Sequence, residues 1–293
     1  MKYELDGVSF ELRQEFDFSI LRRYGKVFCV LAGNDSGNIS FGVEGENGRV
    51  FIKIACAGTI RCDLPRSEVA AALEKAMPLY EALQHNSLIE LVEHFPHDGG
   101  YVAVFKWADG DCLLDYWNYD HYLETGEKSP QKRFRELPLA TRLRSFEVVC
   151  DFLQHVAAQD YVAIDFYDGS IMYDFATDTT TICDIDFYEK APHTVGDGIV
   201  WGSSRFIAPE EAIPGSILDE KTNVFTLGAT AFNYFGGAMN KLYSSGSREF
   251  EHWQAGRARY DVAMKATAHE KSERYQSIAE FIQVWKNAEE LEG

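Results

Sequence analysis

The chain changes character near Trp107, and this change constrains its fold more than any other feature of the sequence. Before that point, short runs of β-branched and aromatic residues alternate with clusters of glycine, asparagine and aspartate, a pattern that predicts strands joined by turns. The predicted strands cover residues 27–31, 39–43, 50–55, 87–94 and 101–107. One helix is predicted over residues 65–84, where apolar residues recur at every third or fourth position.

Helical patterns dominate after a short polar break at residues 108–111. The predicted helices cover residues 137–159, 223–234, 257–267 and 277–291, and two short strands at residues 171–174 and 180–186 lie between them. We therefore expect an α+β protein with two lobes, in which residues 1–107 are rich in strands and residues 108–293 are mostly helical. The cleft between two such lobes is a common place for a ligand.

The composition narrows the classes of partner. The chain carries 46 acidic and 28 basic residues, and its formal net charge of −18 opposes binding to nucleic acid or to an anionic membrane surface. It shows neither an export signal nor an apolar segment long enough to cross a bilayer. The six cysteines are scattered without the spacing of a zinc site, so we expect buried thiols rather than disulfides. These features together predict a cytoplasmic protein.

A lysine inside an apolar strand is the first candidate for chemistry. Lys53 follows a loop and strand that contain Gly33, Gly37 and Gly42. A buried ammonium group needs an anionic partner, and glycine leaves backbone amides open to phosphate. Either feature alone is more typical of an edge strand or of a plain hairpin, whereas the two in succession favour a phosphate-binding site.

Further segments follow in an order that carries a family resemblance. They are the strand at residues 101–105 with its polar extension, the loop 161–170, the strand end 182–186, and the stretch GSSRFIAPE at residues 202–210. With the glycine loop and the strand lysine, this order resembles the protein-kinase family, in the manner of a divergent eukaryotic-like serine/threonine kinase of bacterial type. The matches span roughly residues 31–281, so the resemblance implies a protein-kinase-like bilobal fold for nearly the whole chain.

The resemblance implies binding of ATP with Mg²⁺ and transfer of the terminal phosphate to a hydroxyl group of a protein or a small molecule. Lys53 and the glycine loop would contact the phosphates, and backbone groups near Lys106 and Ala108 would bond the adenine. Asp165 matches the aspartate that accepts or orients the substrate hydroxyl, and Asp184 matches the metal-binding aspartate of the DFG motif.

The resemblance assigns further contacts by position. Asp111 would reach the ribose of the nucleotide. Ser203 stands where serine/threonine kinases carry a hydroxyl that bonds the catalytic aspartate, and Glu210, the last residue of the APE triplet, is expected to form a buried ion pair with Arg274.

Departures from the family pattern bear on catalysis. The arginine before the catalytic aspartate is Ile164, which implies activity without phosphorylation of the activation loop. Tyr167 replaces the loop lysine and removes a charge near the transferred phosphate. Ser170 replaces the asparagine that helps to hold a second magnesium ion, and as a weaker ligand it could be supplemented by Asp168 or Asp174.

The helix partner of Lys53 has several candidates. Glu74 lies nearest the expected distance, counting back from the next strand points to Ala76, and Glu68 and Glu81 also lie on the helix. Two further departures are Asp186 in place of the DFG glycine and Asn223 in place of the aspartate that opens the central helix.

Three functions fit these observations. The intact stretch 202–210 favours a serine/threonine protein kinase. The Asp-Ile-Asp sequence at residues 184–186 and the acidic surface favour a kinase of small cationic molecules, although such enzymes usually lack an APE triplet. The departures at Tyr167, Ser170 and Asn223 favour a nucleotide-binding pseudokinase scaffold, whereas the retained strand lysine and the two aspartates favour an active enzyme.

Overall fold

The computed structural model describes residues 1–34, 36–198, 200–236 and 248–290, which belong to two compact units. The first unit contains Met1–Gln84 and Ile89–Ala108, and the second contains His85–Leu88 and the chain from Asp109 onward. The protein is of the α+β class, with strands concentrated in its N-terminal region and helices in its C-terminal region. This distribution confirms the α+β class predicted from the sequence.

An antiparallel sheet forms the centre of the first unit. The elements of this unit are β1 (Lys2–Leu5), β2 (Val8–Glu11), β3 (Lys26–Leu31), β4 (Ile39–Gly45), β5 (Gly48–Ile54), α1 (Arg66–Ala82), β6 (Leu91–His97) and β7 (Gly100–Lys106). Five of them pair in the order β3-β4-β5-β7-β6. The strand predicted over residues 87–94 begins later, at Leu91, because Ser87 belongs to the second unit, where its carbonyl oxygen accepts a bond from the N–H of Ile182.

The two faces of this sheet have different environments. One face is covered by aromatic and aliphatic side chains from the N-terminal segment, namely Phe10, Leu12, Phe16 and Phe18, which pack on Phe41, Ile52 and Val104. Side chains alternate along a strand, so Lys53 projects from the opposite face, in register with Ser40 and Ala103. Helix α1 packs on that second face, where the ring of Tyr80 lies 4.8 Å from the ring of Phe105.

The hairpin of β1 and β2 was missed by the sequence analysis. Its turn is Asp6-Gly7, and both residues have positive φ, 51° and 91°. An Asp-Gly pair between two short alternating runs is the sequence signal of such a tight hairpin, but each strand is only four residues long. The hairpin supplies Phe10 to the core, so it is an integral part of the first unit.

Helices build the second unit. They are α2 (Tyr119–Thr125), α3 (Pro130–Arg135), α4 (Leu139–Ala158), α5 (Glu220–Phe235), α6 (Arg257–Ala266) and α7 (Ile278–Glu290). The short strands are β8 (Asp111–Cys112), β9 (Tyr161–Val162), β10 (Ile171–Asp174), β11 (Thr179–Ile182), β12 (Glu189–Lys190), β13 (His193–Thr194) and β14 (Ile217–Leu218). The predicted helices agree with α4, α5, α6 and α7 to within three residues at each end, whereas α2 and α3 were not predicted.

Helix α5 lies at the centre of the second unit. Every residue from Thr222 to Phe235 is buried, which explains why apolar residues occur on all sides of this helix and charged residues do not occur in this segment. A side chain at Gly228 would collide with Ala266 and Thr267, so glycine allows α6 to approach α5 closely. At its other end, Phe235 packs with Phe146 and with aromatic residues of α7.

Two further observations concern membranes and thiols. Across the described ranges, none of the helices has the length and apolar character needed to cross a bilayer. All six cysteines are free, which agrees with the prediction of thiols rather than disulfides. Cys56, Cys62 and Cys150 are buried, and burial raises the pKa of the Cys150 thiol.

Candidate functional site

Two loops that carry candidate catalytic carboxylates lie side by side in the second unit. Strands β10 and β11 form an antiparallel hairpin with Ile171 opposite Ile182. The loop that enters β10 and the loop that leaves β11 therefore lie at the same end of this hairpin. Asp165 lies in the first loop and Asp184 in the second, and both have a left-handed backbone, with φ of 66° and 58°. This conformation is uncommon outside glycine and often occurs at functional sites.

Ser170 joins the two loops. Its hydroxyl donates to the backbone oxygen of Asp165 at 3.3 Å, and its carbonyl oxygen accepts from the N–H of Cys183 at 2.9 Å, one residue before Asp184. The side chain is 1% exposed. Ser170 therefore holds the backbone of the first loop, and its role as a metal ligand stays a prediction.

Tyr188 indicates that both aspartates lie in the same region of the second unit. Its hydroxyl is buried and has no hydrogen-bond partner among the described residues. Burial raises the pKa of Tyr188 well above its usual value, and the charges of Asp165, Cys183 and Asp184 raise it further. One phenol ring is therefore within electrostatic range of both carboxylates.

The stretch before the APE triplet approaches Asp165 at a glycine. Gly202 has φ of 114°, and a Cβ atom there would lie 3.4 Å from Oδ1 of Asp165. Oγ of Ser203 accepts a bond from Nε of Arg205 at 3.0 Å, and the predicted bond from Ser203 to Asp165 stays a prediction. The hydroxyl proton of Ser203 is therefore not used in that bond.

Tyr167 packs inside the second unit. A side chain at Gly169 would collide with the ring of Tyr167, so glycine allows this ring to fold back over the loop. The ring packs against the apolar cluster of Phe206, Ala208 and Phe225. Tyr167 therefore replaces the loop lysine of the family pattern with a packing residue.

The two aspartates considered as substitutes for the missing metal ligand have other roles. Asp168 is completely buried, and Arg205, Gln131 and Asn233 donate hydrogen bonds to its carboxylate. Asp174 accepts bonds from the N–H of Ala176 and the hydroxyl of Thr177, as a turn aspartate does. This corrects the suggestion that either residue supplements Ser170.

Lys53 lies in a polar row on one face of the first unit's sheet. It is 9% exposed, and Ser40 lies directly opposite it on β4. Oγ of Ser40 and Oδ1 of the neighbouring Asn38 are buried, and within the part of the chain that the structure describes they have no hydrogen-bond partner. Unsatisfied buried oxygens are costly unless a ligand or water completes them. Ser40 and Asn38 were missed by the sequence analysis, although both precede the predicted strand lysine in the same hairpin.

The three glycines predicted to cradle phosphate have different environments. Gly33 lies in the loop between β3 and β4, and of that loop Asp35 is outside the described residues. Gly37 has φ of 84° and packs against Val69 of α1. Gly42 lies within β4, and a side chain there would collide with Phe28. Glycine at position 42 makes room for an aromatic ring, and its contact with phosphate stays a prediction.

Two of the three residues predicted to contact adenosine, Lys106 and Asp111, have partners in the structure. The N–H of Lys106 donates to the carbonyl oxygen of Glu90 at 2.9 Å, and its ammonium group pairs with the same residue. Asp111, in the second unit, forms an ion pair with Arg133 at 2.8 Å. Ala108 ends the first unit. The N–H of Lys106 is therefore used within the sheet, the adenine contact through other backbone groups near Lys106 and Ala108 stays a prediction, and a ribose would compete with Arg133 for Asp111.

Aromatic residues surround the end of β7 in the first unit. The ring of Phe28 lies 4.8 Å from that of Trp107, and the ring of Phe51 lies 6.4 Å from that of Phe105. Phe51 and Phe105 are cross-strand neighbours on the same face as Lys53. The sequence analysis missed this aromatic surface, although Phe51 precedes the lysine by two positions.

The predicted helix partner of Lys53 is not on the buried side of α1. The buried side contains Val69, Leu73, Ala76 and Tyr80, so Glu74 projects to the exposed side. Burial raises the pKa of Tyr101, and the charge of Glu74 raises it further. Ala76, the other position that the sequence suggested, is buried, and the pairing of Lys53 with Glu74 stays a prediction.

The structure contains the Glu210–Arg274 pair expected from the sequence. The guanidinium group donates two bonds to the carboxylate, at 2.7 and 2.8 Å, and also contacts carbonyl oxygens of Lys221 and Ala268. Burial opposes ionisation of Glu210, but the bonds from Arg274 and Thr222 outweigh it and lower its pKa. The pair ties the end of the APE triplet to the helical part of the second unit.

Asn223 explains one departure from the family pattern. Its Oδ1 accepts from the N–H of Ala163 at 2.8 Å, and its Nδ2 donates to the carbonyl oxygen of Tyr161 at 2.9 Å. An aspartate could accept but not donate. We expect Asn223→Asp to lower the free energy of unfolding by about 1–3 kcal/mol, measured by urea denaturation at pH 7. Asn47→Asp, on the exposed turn between β4 and β5, is the control. An unchanged midpoint for Asn223→Asp would contradict this role.

Comparisons with known proteins do not assign a family. No family model matches the chain, and no match was found among curated proteins. The residues and contacts described above are therefore the basis for inferring a function.

Proposed function

We propose that the chain is a divergent protein-kinase-like phosphotransferase that uses ATP with Mg²⁺, with serine or threonine hydroxyl groups of proteins as its acceptors. The observation that carries the proposal is the junction of the Asp165 and Asp184 loops through Ser170. Phosphate transfer requires one carboxylate near the attacking hydroxyl and one that holds a metal against the phosphates. Two carboxylates on adjoining loops of one unit meet that requirement.

Each aspartate has a distinct role in this proposal. Asp165 would accept or orient the acceptor's hydroxyl proton, and Gly202 lies next to its carboxylate. Asp184 would hold Mg²⁺, because carboxylate oxygen is a ligand that this hard cation prefers. When bound, the ion would neutralise charge on the phosphate oxygens. The hydroxyl of Ser170 is already bonded to the loop, so Asp184 would be assisted by water and phosphate oxygens.

The first unit offers groups suited to a nucleotide. Lys53 is a buried cation that would pair with phosphate oxygens, as a strand lysine does in kinases. Ser40 and Asn38 supply the buried oxygens without partners described above. Phe51 and its aromatic neighbours provide apolar faces that can stack on a base.

The acceptor class is inferred from the stretch that ends in the APE triplet. The ion pair of Glu210 with Arg274 holds this stretch, which protein-directed kinases use to position a peptide. One observation favours a second candidate, a nucleotide-binding pseudokinase. Ser170 is buried and a weaker ligand than the asparagine that kinases carry at this position, so binding of ATP without turnover is the alternative outcome.

Binding and transfer can be tested together. We expect ATP with Mg²⁺, at 100 times its dissociation constant, to raise the free energy of unfolding by about 2.7 kcal/mol, and EDTA to reverse most of this effect. We also expect radiolabelled phosphate to appear on a generic serine/threonine substrate protein. Asp184→Asn should abolish the magnesium-dependent part of the stabilisation by ATP. Asp120→Asn, which removes an exposed carboxylate on α2, should leave it unchanged.

The outcomes separate the candidates. Stabilisation by ATP without transfer or hydrolysis supports the pseudokinase, and ATP consumption with a small acceptor but without protein labelling indicates a small-molecule kinase. Absence of both stabilisation and turnover in the wild-type protein contradicts the proposed function.

A further inference from the structure

A buried ion pair joins the catalytic loop to the stretch that precedes the APE triplet. The guanidinium group of Arg205 donates to both carboxylate oxygens of Asp168, at 2.6 and 2.8 Å. The side chain of Asp168 is 1% exposed and that of Arg205 is 14% exposed. Bidentate pairs of this kind are the strongest and most directional that side chains make. Asp168 lies three residues after Asp165, and Arg205 lies three residues after Gly202.

Asp168 is held firmly on its other sides. Gln131 of α3 and Asn233 of α5 donate to its Oδ2 atom. Arg135 is also close: burial lowers its pKa to about 10, and the charge of Asp168 acts against that decrease. Donors from two helices thus surround the carboxylate, so it is a fixed anion and Arg205 is the part that could detach.

Arg205 also binds Ser203, so the position of Ser203 depends on the ion pair with Asp168. Its Nε donates to Oγ of Ser203 at 3.0 Å while its two terminal nitrogens bind Asp168. The planar fork sets the direction of all three bonds at once. Ser203 follows Gly202, whose Cβ position is 3.4 Å from the Asp165 carboxylate. The fork therefore fixes the chain next to the proposed catalytic base.

The anion and the arginine of this pair differ in position from those of a segment that phosphorylation orders. Where a phosphate group orders a segment, it does so by giving an arginine a new anion to bind. Here the anion is the side chain of Asp168 on the catalytic loop, and the arginine is on the segment itself. The position before Asp165, where an arginine would bind an added phosphate, is Ile164.

We propose that Asp168 is a permanent anion that holds Arg205, and with it residues 200–208, in the catalytic arrangement without covalent modification. Arg205 is thus a positioning residue for the reaction, and this inference rests on the proposed phosphotransferase function. Treatment of the wild-type protein with a phosphatase is expected to leave its transfer rate unchanged.

Three variants test the positioning role. Arg205→Gln and Asp168→Asn are expected to lower kcat by about 10- to 100-fold with the KM for ATP changed less than about twofold, because small misplacements of this kind cost such factors. Hydrogen exchange of peptides covering residues 200–208 should become faster. Arg205→Lys keeps the charge without the fork and should give intermediate values. Arg257→Gln, which breaks an exposed pair with Asp261, is the matched control and should change neither quantity.

The double variant Asp168→Asn/Arg205→Gln distinguishes positioning from stability alone. It removes both members of the pair, so it should recover melting temperature relative to Arg205→Gln, in which Asp168 loses its guanidinium partner. The loss of the Asp168 charge next to Arg135 is common to Asp168→Asn and the double variant. A positioning role predicts that its kcat stays low, whereas a merely structural role predicts that kcat recovers with stability. Recovery of kcat, unchanged exchange at residues 200–208, or loss of activity on phosphatase treatment would each overturn the inference.

The exchange measurement does not require turnover. If the wild-type protein neither binds ATP nor transfers phosphate, the proposed function fails, yet faster exchange in Arg205→Gln still shows that Asp168 holds the segment. If transfer is present and the variants leave both exchange and kcat unchanged, the proposed function stands and the positioning role is wrong.

Discussion

Replacing Asp165 with asparagine is expected to slow phosphate transfer by about 100- to 10,000-fold, the usual contribution of a positioned general base. The carboxylate, but not the shape of the side chain, is lost. Asparagine tolerates the left-handed backbone of this position, where φ is 66°, and the bond from Ser170 goes to the backbone oxygen, which the variant retains. The affinity for ATP should therefore change less than about twofold.

Asp160→Asn is a closely matched control for this variant. Asp160 also has a left-handed backbone, with φ of 56°, and lies in the same stretch of chain, but its side chain is exposed. Steady-state kinetics at saturating ATP should show no change for Asp160→Asn. A transfer rate in Asp165→Asn within threefold of the wild-type rate would mean that this carboxylate is not the base.

Removal of Arg274 is expected to cause the largest loss of stability, about 3–5 kcal/mol for Arg274→Met, because it leaves the carboxylate of Glu210 without its partner in a buried place. The arginine side chain is fully buried, and its charge also lies over the ring of Phe225, 4.8 Å from the ring centre. Urea denaturation followed by tryptophan fluorescence would measure the change. The double variant Arg274→Met/Glu210→Leu should recover most of the loss, since no charge is left unpaired.

An exposed pair provides the control for the Arg274 experiment. Arg257 and Asp261 lie one helical turn apart on α6, with side chains 64% and 58% exposed. Arg257→Met should change stability by no more than about 1 kcal/mol. If Arg274→Met were as mild as this control, the pair would not stabilise the fold.

The pH dependence of stability gives an independent test of the Glu210–Arg274 pair. The pKa of Glu210 is lowered in the folded protein, so its contribution is present above the unfolded-state pKa and is lost as pH falls through the folded value. The deficit of Arg274→Met should therefore shrink in acid. Burial raises the pKa of the adjacent Glu211 to about 7, so its contribution has the opposite sign and is lost as pH rises from 4.5 towards 7. The wild-type protein and Arg274→Met are best compared in a Glu211→Gln background, which removes the pH dependence of stability that Glu211 contributes.

Patterns confined to short stretches were good predictors of this fold. The strand-rich beginning, the helix now seen as α1, and helices α4 to α7 follow from periodicities of two and of three to four residues. The hairpin of β1 and β2 was not predicted because a four-residue strand shows too few alternations of apolar and polar residues. The later start of β6 was not predicted because it depends on the bond between Ser87 and Ile182, which is far away in the chain.

Side-chain partners were harder to predict from sequence than elements. Arg274 was matched to Glu210 only through a family resemblance, whereas the partner of Arg205 could not be read from its neighbours. Asp168 was expected near a metal, yet Gln131, Asn233 and Arg205 occupy its carboxylate, and they come from three different parts of the chain. Gly42 suggested a phosphate-binding loop, but a glycine is required at this position because a larger residue would collide with Phe28 on the adjacent strand.

The amino-acid order was sufficient to predict the α+β class and to single out Lys53, Asp165 and Asp184 as candidates, because local periodicity and motif spacing are properties of short segments. The bonds of Ser170, Arg205 and Asp168 depended on folding, which brings together groups that are distant in the chain. A polar side chain that leaves water takes whichever partner the packing places within reach, and that choice is a property of the whole unit.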